Sequence, residues 1–418
     1  MRLSTAAVTV HGMPPSRDVD LVLYGASGFV GALTAAYLAQ NAPAGTTIAL
    51  AGRSADRLAA VRDQLGAAAA EWPVLVADSS DRAAVTRLAE QARVVVTTVG
   101  PYARYGLPLV EACAASGTAY ADLTGEVLFV RDSIDAADAT ARASGARIVH
   151  ACGFDSIPSD LGVQLTAQRA AADGAGLLAD TQLLVVSMRG GVSGGTVDSL
   201  RAQVDALKAK HSLRRVVADP YALSPDRSAE PELGLESDTV VVGRSDGRWT
   251  GPFVMAPFNT RIVRRSNALQ DWAYGRSFRY SETMSFGSSP VGPLLAAGTA
   301  AGVLGLGAGL GFGPSRAVLD RVLPAPGSGP GEKARSAGHF HMEITAMTTS
   351  GARYRTTVAA KGDPGYAATA VMLGQSGLCL TLDELPEGGG VLTPATAMGE
   401  LLADRLRSAG FTISTEAV

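Results

Sequence analysis

Cysteine is scarce, with Cys113, Cys152 and Cys379 the only three in 418 residues. They are odd in number and too widely spaced for a zinc knuckle, and a reducing cytosol suits them best. Charge is sparse too, at 18% of residues, and nearly balanced: 36 Lys+Arg against 39 Asp+Glu. A nucleic-acid binder carries a basic excess on one face, so nucleic acid is not an expected partner. Aromatics make up only 6% of the chain, yet apolar residues reach 47%, which excludes a disordered chain. A convincing leader is missing, because residues 3–10 (LSTAAVTV) are too short and too hydroxylic for a signal core. Met13 reads as a second start, with residues 1–12 a dispensable tail. The expected location is the cytoplasm. At ~150 residues per domain, the length suggests two or three domains, each with its own core.

Residues 19–152 alternate strand and helix. VDLVLY, TTIALA, WPVLVAD, RVVVTTV, TAYADL and RIVHAC are short apolar runs separated by stretches with helical spacing. Continuous apolar strands are buried on both faces, which requires a parallel sheet covered by helices on each side. Right-handed crossovers then give a doubly wound, Rossmann-type α/β domain. After residue 152 the rhythm changes. DSIPSDLGVQLTAQRAA reads as a helix and TQLLVVSMRGG as a strand; residues 213–260 read as long loops. HFHMEITAMTT and ARYRTTVAAK alternate in period two around Ser350-Gly351, a hairpin pattern. Two helical stretches, PGYAATAVMLGQSGLCLT and PATAMGELLADRLRSAG, follow. The expected division is a dinucleotide-binding domain over 18–153, an α+β domain over 154–391, and a C-terminal helix and tail over 392–418. PAPGSGPGE, residues 324–332, reads as a loop within the second domain.

The first strand runs into Gly25-Ala-Ser27-Gly28-Phe29-Val-Gly31 and then a helix. In that context the glycines mark a dinucleotide site. Gly25 permits the turn, Gly28 admits the pyrophosphate, and Gly31 lets the helix lie close to the sheet. Ser27 and Phe29 belong to the same cradle. At the end of the second strand, where a carboxylate would hold the ribose of NAD, the chain has Gly52-Arg53-Ser54. Arg53 can make bidentate bonds to a 2′-phosphate and Ser54 can add another, so NADP(H) is the expected cofactor. Asp78 is placed beside the adenine, or else caps the next helix. Val99, Gly100 and Pro101 are expected to wall the pyrophosphate and nicotinamide. Tyr102 and Tyr105 are the nearest groups able to donate a proton or bind an oxyanion, and they are the expected catalytic residues.

YGASGFVG, ALAGRS, TTVGPYARYGLPLVEACAASGTAYADLTGE and HACGFDSIPSDLG together resemble the saccharopine dehydrogenase-like family. With APFNTRIVRRSNALQDWAYGR and GVLTPATAMGELL added, the pattern over residues 18–410 resembles the actinobacterial trans-acting enoyl reductases. The resemblance implies NADPH-dependent reduction of an α,β-unsaturated acyl thioester. It also implies a polyketide synthase carrier protein as partner, in the synthesis of long-chain envelope lipids. Two alternatives stand beside it: a saccharopine-type amino-acid dehydrogenase, and a non-catalytic NADP-binding, lipid-associated protein.

Other candidates stay open. Tyr120, Asp122, Gly125 and Glu126 follow the fifth strand. His150, Cys152, Phe154 and Asp155 follow the sixth. Of these, His150 reads most simply as a core histidine, Cys152 as a small buried side chain, and Asp155 as a turn or helix cap. Arg261, Arg264, Arg265, Arg276 and Arg279 form a local basic excess that suits a phosphopantetheine phosphate or a carrier protein, or simply a solvated edge. From Thr283 to Ser315 there is no charged residue. That segment is expected to be a surface helix or helical hairpin on one side of a membrane, in peripheral contact with the inner face of the plasma membrane. Its outer face is expected to carry Leu304, Leu306 and Leu310, and its small residues suit close packing in a homo-oligomer.

Overall fold

The computed structural model describes residues 17–190, 194–231, 242–323 and 329–418. The tail 1–12, Met13 and residues 324–328 of the expected loop lie outside the described residues. The first strands are β1 (Val19–Tyr24), β2 (Ile48–Gly52), β3 (Val74–Val76), β4 (Ala92–Thr97), β5 (Ala119–Ala121) and β6 (Arg147–Val149). There follow β7 (Leu178–Arg189), β8 (Gly243–Ser245), β9 (Arg248–Pro252) and β10 (Arg279–Ser285). The last four are β11 (His339–Thr348), β12 (Arg353–Lys361), β13 (Gly390–Leu392) and β14 (Thr412–Ala417).

Among the described residues these strands make two sheets of seven. The first runs β13-β6-β5-β4-β1-β2-β3 and the second β14-β12-β11-β7-β10-β9-β8. Every pairing in the first is parallel, as the doubly apolar strands require. Strand order reverses between β1 and β4, which opens a crevice at their carboxyl ends. The second sheet is mixed: β7 pairs parallel with β10 and antiparallel with β11.

Local chemistry sets the helix ends. Ser54 accepts a bond from the Arg57 N–H at the start of Ala55–Leu65, and Asp81 accepts two at the start of Arg82–Gln91. Gly117 and Gly145 end their helices in the left-handed region.

The chain does not divide as the sequence suggested. The helix Thr369–Leu382 returns to the first sheet, where a side chain at Gly377 would meet Val96 and Leu21. Strand β13 then pairs with β6, so the span 154–391 is interrupted. The C-terminal tail is strand β14 on the edge of the second sheet rather than an extension of the helix. Short strands carry no period of their own, and the partner of β13 lies more than 200 residues away. Residues 213–260 likewise hold more than loops: the helix Leu213–Ala218, strands β8 and β9, and the start of Ala256–Leu269, with 232–241 outside the described residues.

Candidate active site

A cavity of about 960 Å³ lies along the carboxyl edge of the first sheet. Its floor is the turn after β1. Gly25 has φ of +91°, and a Cβ there would stand 2.7 Å from the Thr98 hydroxyl. A Cβ on Gly31 would stand 2.1 Å from the Gly25 carbonyl oxygen, so only glycine lets the helix start against the turn. Ser27, Gly28 and Phe29 line the cavity, whereas Gly31 lies behind them. The helix Phe29–Asn41 has no side-chain cap, which leaves its first N–H groups for an anionic ligand.

Arg53 lines one end of the cavity, together with Arg57, Ser79 and Ser80, which the sequence reading passed over. Ser54 does not line it, because its hydroxyl is engaged as the helix cap. Asp78 faces the cavity and does not cap the following helix, a role that falls to Asp81. Its carboxylate accepts bonds from the Ser80 hydroxyl and N–H, at 2.6 and 2.8 Å, which hold it below the usual carboxylate range. Two arginines at this end of the cavity fit a dinucleotide bearing a 2′-phosphate.

Val99, Gly100 and Pro101 continue the wall after β4, followed by the turn Tyr102–Tyr105. Glu126 pins that turn by accepting from the N–H groups of Tyr102 and Ala103, at 3.0 and 2.7 Å. It also accepts from the Ser199 hydroxyl at 2.6 Å, and burial raises its own carboxyl. The expected role for Tyr102 does not suit where its hydroxyl lies. That group donates to the Thr97 carbonyl and accepts from the Leu123 N–H, each at 3.2 Å, and burial pushes the phenol well up. Tyr105 is only half-buried and lines the cavity, with Arg104 over its ring.

Behind this wall, Asp122 organises a sealed network. It accepts from the Tyr120 hydroxyl at 2.9 Å, lies 2.7 Å from His150 Nδ1, and accepts the Thr124 and Ala151 N–H groups at 3.1 Å. His150 Nε2 meets the Ser133 hydroxyl at 2.8 Å. Ser133, His150 and Asp122 thus have the connectivity of a charge relay, but all three are buried at 0–1% exposure and no substrate reaches them. Their work is structural: they hold Ala151 at φ of +63° where it lines the cavity. Cys152 is buried as expected, with its thiol pushed well up.

Three of the five arginines of the basic excess are not available for docking, while Arg276 and Arg279 stay exposed. Arg261, Arg264 and Arg265 are buried, and their guanidiniums donate to backbone carbonyls, those of Val217, Asp219, Tyr280, Leu223 and Val391 among them. Carbonyls in the 217–223 turn need donors, and the sequence cannot show that these arginines supply them.

The far end of the cavity is built by parts that the sequence does not place in the cofactor or catalytic set. One is the helix Gly194–Ala209, which contributes Thr196, Asp198 and Ser199. Its apolar spacing at Val197, Leu200, Val204 and Leu207 was a legible helix signal, though not a site signal. Another is the uncharged helix Gly292–Gly311, whose Val303, Leu306 and Gly307 reach the cavity. Asp155 is a third. Its carboxyl does not cap the helix Ile157–Ala172 and has no hydrogen-bonding partner among the described residues. It lies on the cavity wall beside Gly125, and burial raises it to about 6.

Comparison with known proteins accords with this geometry. Residues 21–149 match the saccharopine dehydrogenase NADP binding domain family. A putative trans-acting enoyl reductase of Mycobacterium tuberculosis is 52% identical over 410 residues, covering 96% of this chain and 98% of the relative. A trans-acting enoyl reductase of Mycobacterium ulcerans is 52% identical over 414 residues, covering 95% and 98%. Among solved structures, the apo saccharopine dehydrogenase (L-Glu forming) of Saccharomyces cerevisiae superposes with a TM-score of 0.53. It covers 95% of this chain and 99% of its own, at 12% identity, which establishes a shared fold. Identity of this depth over nearly the full length of both chains, with an NADP-binding domain at its head, makes the chain an NADP-dependent oxidoreductase belonging to the trans-acting enoyl reductase family.

Proposed function

We propose that the protein reduces the carbon–carbon double bond of an α,β-unsaturated acyl thioester presented by a polyketide synthase carrier protein, in the making of long-chain envelope lipids. The observation that carries this reading is the continuity of one cavity from the glycine turn to the uncharged helix Gly292–Gly311. When bound, NADPH supplies the hydride that adds at the β carbon. Gly25, Ser27 and Gly28 seat the pyrophosphate, and Arg53 with Arg57 holds the 2′-phosphate. Val99, Gly100 and Pro101 wall the reduced ring, and Tyr105 Oη donates to the thioester carbonyl oxygen as charge develops there.

The inner end of the cavity disfavours an amino-acid substrate, whose carboxylates need cations to grip them. The arginines on the cavity wall are Arg53 and Arg57 at the nucleotide end and Arg261, whose guanidinium serves backbone carbonyls. The outer face of Gly292–Gly311 meets the cytoplasmic face of the membrane, while its inner face meets the acyl chain. A spanning arrangement is disfavoured because β10 before the helix and β11 after it both pair with β7. NADPH consumption with a long-chain enoyl thioester, set against saccharopine and a cyclic imine, tests the reading. Consumption with the enoyl thioester alone is expected; consumption with an amino-acid substrate overturns it, and none with any substrate leaves the non-catalytic alternative.

A further inference from the structure

We propose that Asp155 is the acid that protonates the α carbon, an assignment that rests on the enoyl-reductase reading above. Three carboxylates line the cavity among its described residues: Asp78, Asp155 and Asp198. Asp78 is bonded to Ser80 at the nucleotide end. Asp198 lies on the covering helix, 4.0 Å from Arg201. Of the three, Asp155 stands on the sheet edge beyond β5 and β6, with no hydrogen-bonding partner among the described residues, and a Cβ built on Gly125 would lie 3.6 Å from its Oδ2. The missing side chain of Gly125 therefore leaves space between the carboxyl and Met255, whose Cε would also lie 3.6 Å from that Cβ.

A carboxyl aimed into an apolar cavity is costly unless it holds its proton or a ligand occupies the space before it. Burial is the cause of its raised titration near 6, and no charged neighbour contributes. Of the other ionisable groups on this part of the wall, Tyr102 is engaged with the backbone and Arg261 with carbonyls, while Tyr105 faces the substrate as a hydrogen-bond donor. Asp155 is thus the unengaged cavity carboxyl that can hold and release a proton at this end. After the β carbon has gained hydride, the electron pair of the enolate takes the proton from Asp155 Oδ. The O–H bond breaks, an α C–H bond forms, and the carboxylate left behind is reprotonated by water.

The test compares parent, Asp155→Asn and Asp155→Ala. NADPH binding, followed by its fluorescence, should be unchanged, because the side chain lies away from the nucleotide end. Turnover of an enoyl thioester should fall about 100-fold or more in both variants. Formate should restore part of the turnover in Asp155→Ala, a rescue that a purely structural role would not give. Without cofactor or substrate, the melting temperature of the parent should fall relative to Asp155→Asn between about pH 4 and pH 7, from the unfolded carboxyl's value through the folded one. If the parent reduces enoyl thioesters and both variants match it, Asp155 is not the acid while the proposed function stands. If the parent reduces none, both fall together. If Asp155→Asn does not fold, the rescue and turnover of Asp155→Ala decide the matter alone.

Discussion

Arg53 is exposed at the end of β2, and its worth is realised only when a phosphate is present. Hydrogen bonds to charged groups contribute about 1.5–3 kcal/mol, and tenfold in affinity is about 1.4 kcal/mol. Arg53→Ala should therefore weaken NADPH binding roughly 10- to 100-fold and leave NADH binding unchanged, which titration of both nucleotides would check. The two tyrosines should separate. Tyr105→Phe should lower turnover about 10- to 100-fold with stability intact. Tyr102→Phe leaves the Leu123 N–H without its acceptor, so its main effect should be a loss of about 1–3 kcal/mol in denaturant unfolding. Asp155 titrates near 6 in the fold against about 3.9 in the unfolded chain. A raised acid contributes stability that is fully present below the unfolded value and is lost as pH rises through the folded one. Relative to Asp155→Asn, the parent should lose at most about 3 kcal/mol between pH 4 and pH 7, read from denaturant melts across that range.

The uncharged helix is the element with the most uneven environment. Leu294 and Leu304 are 74% and 67% exposed, whereas Leu310 is fully buried and Leu306 lines the cavity. The three leucines expected to share an outer face therefore do not. Leu294, Leu295 and Leu304 replaced together by Ser should abolish binding to anionic phospholipid vesicles while the melting temperature holds. Leu310→Ser should do the reverse, costing about 2–5 kcal/mol of stability, in the range for a truncated core side chain. Legibility in the sequence followed the same line between local and distant causes. The turn at Gly25–Gly31 was readable because strand, glycines and helix are contiguous. The arginines of Ala256–Leu269 looked like a surface because their carbonyl partners come from another loop and from β13. Asp155 looked like a cap because it precedes a helix, and only the fold shows that its carboxyl turns to the cavity instead.

At the scale of the molecule, two sheets are tied by segments that leave one and return to the other. Arg265 is one of these ties, joining the Ala256–Leu269 helix to Leu223 and to Val391 of the first sheet. The result is a cavity with a nucleotide end on one sheet's edge and an apolar end under a helix inserted in the second. That arrangement suits a reaction between a polar cofactor and a long acyl chain. The most direct measurement uses NADPH deuterated at the transferable C4 position with a long-chain 2-enoyl thioester, followed by mass spectrometry of the acyl product. The account predicts one deuterium at the β carbon and a solvent proton at the α carbon, with little product when NADH replaces NADPH. A saturated product without deuterium, or deuterium transfer to an imine in place of the enoyl thioester, would contradict it.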